Sequence, residues 1–455
     1  MTSQNQFIPY QFIPFIHKIE QVNTDMIYNV SNLSNDSNVM TSTNINQPLF
    51  SLGFHSFIHR TKSAMEITNK LETTNNFYYV VNPFEHNVSN YKDDISNTTL
   101  LYFPKTNENK ILSRAFYKMW EILMIFNIAD IKNLTMVALA EGPGSFIQAV
   151  LNYRDKFFDI TNDMIYSMTI QPENSMYIEM SKDMIEYYNK NNKKLLNPIK
   201  TFKKDIADKD PTKITGDVTK VKTIHYLKKQ LNGKYADLVT ADGGFKWINE
   251  NYQEQESYML ILGEIISALS IQAKNGSFIL KIFETFTHLT IKMIYLLTSF
   301  YEEVYIYKPF FSRSTNSERY IICKKFKYDQ VADKNMLEKK IKHLEKTLEQ
   351  MDTRKFIVDI FPNFILSPLE LNVFKYTNTL IVNTQQIMIN QLVQFIKSNN
   401  YFGDDYHMYR DKQIIASKWW IETFFTKIKT DFSKMIKDTS HYNSSELNLF
   451  VNKMI

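Results

Sequence analysis

The sequence has little of several residue types, and each scarcity narrows what the protein can be. Its 455 residues include one cysteine, Cys323, so a disulfide framework is excluded and a reducing compartment is indicated. Glycine is also scarce, at ten residues. No uncharged run is long enough to span a bilayer, and the first residues, Met1–Gln6, lack the basic region of a signal peptide. We therefore expect no membrane partner.

What is present is ordinary for a soluble globular protein. Hydrophobic residues make up 44% of the chain and charged residues 22%, with aromatic residues at a high 14%. The length permits two or three domains, with enough core for one large α/β unit. The formal charge of +5 fits a polyanionic partner without demanding one.

The clearest pattern runs from Tyr235 to Lys281. An apolar run after Tyr235 ends at Asp242, which two glycines follow, and a run bounded by such a turn is typical of a buried strand. A long helical pattern comes next, and residues 277–283 then have the pattern of a second strand. Because two parallel strands flanking a helix end at the same edge of a sheet, we expect Asp242 and Lys281 to meet where open α/β sheets bind ligands.

A strand, a glycine-containing turn and a helix start follow one another at residues 134–150. The turn, Glu141–Ser145, contains Gly142, Pro143 and Gly144, and its glycines let a ligand approach the backbone at a helix N-terminus. A tight turn that binds nothing would give the same pattern, so the signal is weak. The spacing matches neither a P-loop nor a Gly-x-Gly-x-x-Gly dinucleotide site.

Strands and helices continue to alternate beyond this turn. Residues 164–170 have a strand pattern, the lysine-rich segment 174–210 is predicted to be a helical, solvated insertion, and Asp217 stands between a turn and a helix. Residues 304–308 and 319–324 are predicted to form a closing pair of strands. This alternation predicts an α/β fold with a mostly parallel sheet and helices on both faces.

The first hundred residues carry few signals. Two tandem Gln-Phe-Ile-Pro pentads at residues 6–15 forbid a helix and favour an extended arm, which lies on its own domain or docks on a partner. Residues 30–47 are predicted to be loop or disorder. His55 and His59 have a spacing that suits a metal, but no third ligand accompanies them, so surface or core histidines are favoured.

The C-terminal residues are predicted to be mainly helical. Apolar residues over 337–351 recur at spacings of three and four, which predicts a helix that packs on its neighbour or forms a coiled-coil seam. Residues 355–455 have mostly helical patterns, with Trp419 and Trp420 expected in the core. No catalytic pattern occurs in this region.

Five short motifs carry a family resemblance, beginning with a helix start for which Ser113 is the expected N-cap. In chain order they are Ser113-Arg-Ala-Phe-Tyr-Lys118, Glu141-Gly-Pro-Gly144, Ala241-Asp242-Gly-Gly, Ile279-Leu-Lys281 and Asn316-Ser-Glu318-Arg-Tyr. With this set, the segment from about 105 to 326 resembles the FtsJ-type RNA ribose 2′-O-methyltransferases. The resemblance implies a Rossmann-like, seven-stranded methyltransferase core that uses S-adenosyl-L-methionine (S-adenosylmethionine, SAM).

The resemblance implies a catalytic tetrad of Lys118, Asp242, Lys281 and Glu318. A ribose 2′-hydroxyl is a poor nucleophile, so a base must take its proton as it attacks the methyl group. A lysine can act as that base only if its pKa falls, and a second ammonium nearby lowers it. We expect Lys281 to be the base, Lys118 the neighbouring cation, and the two acids to orient the amines.

The same resemblance assigns the SAM site to one turn and one further acid. These residues are Glu141, Gly142, Pro143, Gly144, Ser145 and, near the adenine, Asp217. The chain departs from the family at Ala138, where many members carry an acid, and at Ser145, which replaces a second glycine. Glu141 is therefore expected to take over the contact with the methionine amine.

The substrate expectation comes from residues 308–318, where Lys-Pro is followed by Ser-Arg and Asn-Ser-Glu. This spacing is similar to that of eukaryotic and large-DNA-virus enzymes that methylate the ribose beside the mRNA cap. The expected partner is therefore RNA, specifically the capped 5′ end of mRNA. Ribosomal or transfer RNA is the alternative substrate, and a non-catalytic RNA-binding scaffold is the alternative class.

The expected organisation has three parts. Residues 1–100 form an N-terminal extension or docking arm, 101–330 the methyltransferase domain, and 331–455 a mainly helical C-terminal region. We expect the flanks to bind RNA or a protein partner and to take no part in the chemistry. The expected location is cytoplasmic, with a viral factory, a virion or the nucleus left open.

Overall fold

The structure is a computed structural model that describes only part of the chain. The described residues are 15–21, 39–44, 52–70, 81–84, 111–158, 162–170, 180–191, 200–201, 216–244, 250–351, 355–399 and 403–432. The tandem pentads before residue 15 therefore lie outside the described residues, as does most of the stretch predicted to be loop at 30–47.

Ten strands are present among the described residues. In chain order they are β1 (Phe15–Ile19), β2 (Met40–Ser42), β3 (Thr135–Leu139), β4 (Met164–Met168), β5 (Lys200–Thr201), β6 (Ala236–Ala241), β7 (Gln272–Ile282), β8 (Tyr301–Lys308), β9 (Arg319–Phe326) and β10 (Phe356–Asp359). Eight of them form one sheet in the order β1-β8-β9-β7-β6-β3-β4-β5, and β2 pairs with β10 in a separate small sheet.

The large sheet is mixed, with its parallel strands on one side. Strands β5, β4, β3, β6 and β7 run parallel, whereas β9, β8 and β1 continue the sheet in antiparallel pairs. The predicted seven-stranded, mostly parallel sheet is confirmed as β3 to β9. Strand β1 adds an eighth member, with Phe15 opposite Lys308 and Ile19 opposite Val304. The last part of the predicted arm thus lies on its own sheet.

The helices cover both faces of the sheet, as predicted. They are α1 (Leu52–Ser63), α2 (Ala115–Phe126), α3 (Ser145–Phe157), α4 (Lys182–Asn191), α5 (Val221–Gln230), α6 (Tyr258–Ile271), α7 (His288–Phe300), α8 (Lys334–Gln350), α9 (Pro368–Ser398) and α10 (Asp404–Phe424), besides short turns at Ala64–Lys70, Glu250–Tyr252 and Gln253–Glu256. Because successive side chains of a strand point to opposite faces, Val137 packs with α5 to α8 and Met136 with α2, α3 and α10.

Two predictions for the segments outside the main pattern were wrong in whole or in part. The helix predicted within 174–210 is confirmed as α4, but it is not solvated all round, because its Met184 and Tyr188 are buried in the core that α2 and α3 share. Part of the predicted loop at 30–47 is instead β2, paired with β10. In both cases the sequence pattern is polar overall, and tertiary contacts decide the structure.

The C-terminal residues pack on the same two cores. Leu337, Leu344 and Leu348 of α8 are buried in the core that contains α6, so the packed-helix alternative holds. Trp420 of α10 is fully buried against α2, and Trp419 packs at the margin of that core. The division at residues 100 and 330 stays a prediction. Within the described ranges no helix is both long and apolar enough to cross a membrane.

Candidate active site

The carboxyl edge of the parallel strands gathers the predicted site residues. Glu141 follows β3, Asp242 follows β6 directly, and Lys281 is the penultimate residue of β7. Because β9 is antiparallel to β7, Glu318, just before β9, lies at the same edge. Lys118 reaches this edge from α2. The edge is the usual ligand position in such sheets.

Lys281 and Asp242 form the first ion pair of the site. Lys281 Nζ lies 3.1 Å from Asp242 Oδ1 and donates a hydrogen bond to the Asp242 carbonyl oxygen at 2.9 Å. The hydroxyl of Tyr320 donates to Asp242 Oδ1 at 3.0 Å. A carbonyl and a carboxylate therefore hold the amine, while a tyrosine holds the carboxylate, so this pair has a fixed orientation.

Lys118 and Glu318 form the second ion pair. Lys118 Nζ donates to Glu318 Oε1 at 2.6 Å, and the hydroxyl of Ser312 donates to the same oxygen at 2.9 Å. Burial alone would raise the pKa of the Glu318 carboxyl, but Lys118 and then Lys281 hold that pKa well below its ordinary value. The charge of Glu318 thus acts on both lysines, and the structure brings the four predicted residues together.

The pKa of Lys281 differs from the sequence expectation. Burial lowers the pKa of its ammonium, but Asp242 and then Glu318 outweigh burial, so the net shift is upward from the ordinary value. The expected net lowering of the Lys281 pKa is wrong for this arrangement. Lys118 is bound to Glu318 and so offsets part of the negative charge that raises the pKa of Lys281.

A third lysine, Lys308, anchors the loop that carries Glu318. Its Nζ donates to the carbonyl oxygens of Glu318 at 2.8 Å and Asn316 at 3.0 Å, and it also lies 3.3 Å from Ser312 Oγ. Burial lowers the pKa of Lys308 to about 7. Sequence reasoning used Lys308 only as part of a motif and assigned it no role. Its signal was a lysine at the end of a predicted strand, directly before a proline.

The glycine-containing turn after β3 is built around Gly144. Its φ of +108° lies in the left-handed region, which favours glycine, and the Gly142–Pro143 peptide bond is cis. Ser145 Oγ lies 2.7 Å from Ser113 Oγ, so this turn contacts the segment before α2. Ser113 is not the N-cap, because α2 starts at Ala115, whose N–H donates to the Ser113 hydroxyl.

Two buried carboxyl groups, Glu141 of this turn and Glu264 beside Gly243 after β6, test whether the residues fit SAM. Glu141 Oε1 accepts from the backbone N–H of Phe146 at 2.9 Å, but Oε2 has no hydrogen-bond partner among the described residues. Glu264 of α6 likewise has an unpartnered, buried Oε1. Burial raises the pKa of both groups to about 8. Because an ammonium group would satisfy such oxygens, the residues present fit the amino-acid part of SAM.

Sequence reasoning missed Glu264. It predicted Asp217, whose side-chain contacts in the structure are with Thr219 of its own loop. Glu264 is a lone acid in an otherwise apolar helix, which is itself a signal because buried acids need a partner. Asp217 lies near the end of β4, where its neighbour Gly216 approaches the Thr169 carbonyl. Its carboxylate accepts from the Thr219 N–H at 2.9 Å and from the Thr219 hydroxyl at 2.7 Å.

The histidines at positions 55 and 59 lie together in α1. Their ring centroids are 3.8 Å apart, and His59 Nε2 lies 3.3 Å from Glu284 Oε2. Among the residues that the structure describes, no group of three or more His, Cys, Asp or Glu side chains is arranged to hold a metal ion.

A mostly parallel α/β sheet with a candidate ligand site at its carboxyl edge is typical of nucleotide-binding α/β folds. Residues 111–326 match the FtsJ-like methyltransferase family. The match contains all four tetrad residues and all six residues predicted to bind SAM. The resemblance expected from the five motifs is thereby confirmed.

Several curated relatives share this segment. The chain is 29% identical over 220 residues to "cap-specific mRNA (nucleoside-2′-O-)-methyltransferase 1" of Caenorhabditis elegans, a match that covers 46% of this chain and 23% of that protein. It is 32% identical over 204 residues to the Mus musculus protein of the same name, covering 44% of this chain and 22% of that protein. A Caenorhabditis briggsae relative, 26% identical over 216 residues (46% of this chain, 25% of that protein), is named inactive. The chain thus spans about a quarter of these relatives' length.

Proposed function

We propose that the protein is a SAM-dependent RNA ribose 2′-O-methyltransferase that acts on a cap-proximal nucleotide of mRNA, converting cap 0 to cap 1. The observation that carries the proposal is the pair of linked ion pairs, Lys281–Asp242 and Lys118–Glu318, at the carboxyl edge of the sheet. The names of the curated relatives support the capped substrate.

Each member of the tetrad has a distinct role in this proposal. SAM, when bound, supplies an electrophilic methyl group. Lys281 Nζ accepts the proton of the ribose 2′-hydroxyl, and Asp242 keeps the amine directed at that hydroxyl through two contacts. Glu318 holds Lys118, which leaves an ammonium beside the ribose to bind its oxygens or a phosphate. Fixed positions of this kind supply about 7–11 kcal/mol in well-oriented reactions.

The SAM site in this proposal is the turn Glu141–Ser145. Glu141 Oε2 would accept from the ammonium group of SAM, and the left-handed Gly144 would allow the cofactor to approach the backbone at the start of α3. Glu264 of α6 has a second buried oxygen that an ammonium group would satisfy. Asp217, near the end of β4, would hold the adenosine.

Two alternatives are separated by one experiment. If the substrate is ribosomal or transfer RNA, the reaction is the same. If the protein is a non-catalytic RNA-binding scaffold, it transfers no methyl group, and one curated relative is named inactive. The complete tetrad favours an enzyme. The prediction of a protein partner that binds the N-terminal arm or the C-terminal helices stays open, as does the cytoplasmic location.

The test supplies methyl-labelled SAM together with matched RNAs that carry cap 0, cap 1 or no cap. We expect label on the 2′-oxygen of the first transcribed nucleotide of cap 0 RNA only, located by nuclease digestion and mass spectrometry. Asp242→Asn, which keeps the shape of the side chain and removes its charge, is the control. Label on cap 1 RNA moves the site to the second nucleotide, and transfer only to uncapped structured RNA rejects the cap assignment.

A further inference from the structure

A buried ion cluster connects α1 to the loop that carries Glu318. Glu284 Oε1 accepts from Lys62 Nζ at 2.8 Å and from the hydroxyl of Ser317 at 3.0 Å, while His59 Nε2 lies 3.3 Å from Glu284 Oε2. The side chain of Glu284 is 1% exposed and that of Lys62 is 7% exposed. Lys62 and His59 lie outside residues 111–326, in the part of the chain predicted to take no part in chemistry.

The cluster joins the two segments that carry catalytic groups. Glu284 is three residues beyond Lys281, and Ser317 directly precedes Glu318. The hydrogen bond from Ser317 to Glu284 therefore fixes the end of β7 against the start of β9 at the place where Lys281 and Glu318 must keep a set separation. Tyr320 of β9 adds a second link, because its hydroxyl donates to Asp242, which forms an ion pair with Lys281.

The C-terminal helix α9, which packs with α1, contacts the same loop. Gln385 Nε2 donates to the carbonyl oxygen of Thr315 at 3.0 Å, and Arg319 Nη1 donates to Asn378 Oδ1 at 3.0 Å. All four of these residues are buried. Helix α9 thus makes polar contacts on either side of Glu318, and α1 reaches Ser317 through Glu284.

The charge of Glu284 indicates that the cluster holds the loop in position. Burial alone would raise the pKa of the Glu284 carboxyl, but Lys62 and then His59 hold that pKa well below its ordinary value. Glu284 is therefore a buried carboxylate that depends on a partner supplied by α1. Removing the Lys62 ammonium leaves the buried Glu284 carboxylate without its main positive partner. The segment that Glu284 holds must then shift or take up water.

We propose that Glu284, held by Lys62, is a positioning residue that sets Glu318 relative to Lys281 through Ser317. The N-terminal helix α1 is thereby part of the frame of the active site. The catalytic consequence rests on the proposed function, whereas the effect on the loop itself does not.

Two substitutions test the proposal in the full chain, with a third as control. Lys62→Met removes the charge at similar length, and Ser317→Ala removes the hydroxyl that bonds to Glu284 at 3.0 Å and lies 3.3 Å from Gln385 Oε1. Arg60→Met makes the same type of change as Lys62→Met at an exposed position of the same helix. Hydrogen–deuterium exchange of the peptide covering residues 312–319 is measured beside kcat, the KM for cap 0 RNA and the SAM Kd.

For both Lys62→Met and Ser317→Ala we expect faster exchange in residues 312–319. We also expect kcat to fall about tenfold or more, since small displacements of catalytic groups have effects of about that size. The KM and the SAM Kd should stay within about twofold, because the loss falls on the reacting geometry and not on uniform binding. Arg60→Met should match the wild type in every readout.

The outcomes separate a positioning role from a stabilising one. Ser317→Ala with wild-type exchange and wild-type kcat overturns the proposal, even if Lys62→Met is less stable or fails to fold. If the wild type methylates no RNA, the proposed function fails, and the exchange data alone still decide whether the cluster holds the loop. Unchanged exchange in that case rejects the cluster's role as well.

Discussion

Glu318→Gln and Lys118→Met should move the pH dependence of methyl transfer in opposite directions. Lys281 must lose a proton before it accepts one, so the rate rises with pH through the pKa of Lys281. Glu318 raises that pKa, and Lys118 is the partner that offsets Glu318. Removing the Glu318 charge lowers the pKa of Lys281, whereas removing Lys118 leaves Glu318 unopposed and raises it.

The size of each shift follows from the environment of the pair. An opposite charge within about 4–6 Å shifts a pKa by about 1–3 units, and the Glu318 charge is shared with Lys118, so about one unit is expected. The Lys118 side chain is 14% exposed and that of Glu318 10%. Removing one member of such a pair should destabilise the protein by about 3 kcal/mol, near the lower end for buried pairs. The double variant should recover part of that loss.

The assay is single-turnover transfer to cap 0 RNA at saturating SAM between about pH 6.5 and 10.5. Because the pKa of Lys281 is raised above its ordinary value, the variants are compared by the displacement of their rising limbs along the pH axis. The control is Glu302→Gln, which removes an exposed acid paired with Lys325 at 3.9 Å on the far end of β8, and its limb should not move. Shifts of the same sign for Glu318→Gln and Lys118→Met would refute the assignment of Lys118 as the residue that offsets Glu318. No shift in either variant would refute Lys281 as the titrating group.

Three further substitutions test the residues around the tetrad. Glu141→Gln should weaken SAM binding at least about tenfold by calorimetry, since hydrogen bonds to charged groups contribute about 1.5–3 kcal/mol. Burial raises the pKa of Glu141 to about 8 in the folded protein, above its ordinary 4.5, so the free energy of unfolding of the wild type falls as pH rises from 4.5 to 8. Glutamine does not titrate, so the free energy of unfolding of Glu141→Gln, measured by urea titration, should fall by about 3 kcal/mol less between pH 4.5 and pH 7. Tyr320→Phe should lower kcat several-fold while SAM binding is kept, because Asp242 loses a donor; an unchanged kcat would show that this hydrogen bond is dispensable. Gly144→Ala should destabilise the protein and weaken SAM binding, because its φ of +108° is strained for alanine and the added Cβ must displace the flexible end of Met184; wild-type stability and binding would contradict the account of the turn.

The parallel half of the fold was predictable because its elements are local in sequence. The strand ending at Asp242 and the strand carrying Lys281 each have an apolar run with a turn beside it, and the rule for parallel strands then places both at one edge. The tetrad came from the family resemblance, because its members are 200 residues apart between Lys118 and Glu318 and no local pattern joins them.

The contacts made by the flanks were not predictable for a related reason. Strand β1 pairs with β8 across nearly three hundred residues, and nothing in residues 15–19 specifies that partner. The contact between Lys62 and Glu284 is likewise long-range, and in the sequence Lys62 is an ordinary charged residue near the end of a helix. The upward pKa shift of Lys281 depends on distances to Asp242 and Glu318, which only the folded arrangement supplies.

The same contacts revise what a truncation should do. From the sequence alone, removal of residues 331–455 is expected to weaken RNA affinity or solubility, while a core that folds still binds SAM. In the structure, α8 and α10 bury apolar side chains in the two cores beside the sheet, and α9 supports the Glu318 loop. We therefore expect the truncated chain to be insoluble or to lose cooperative unfolding, which circular dichroism and urea titration will measure.

The central claim is that Lys281 takes the ribose proton, and Lys281→Arg tests it most directly. Arginine keeps the positive charge and the length but stays protonated, so it can bind a phosphate yet cannot accept the hydroxyl proton. Single-turnover transfer to cap 0 RNA is measured beside SAM binding by calorimetry and unfolding by circular dichroism. The account predicts a loss of at least about 1,000-fold in the rate, the midpoint of the 10²–10⁴-fold range for general bases, with SAM affinity and folding nearly unchanged. Near wild-type transfer by folded Lys281→Arg would contradict the account and leave Lys281 as a phosphate contact at most.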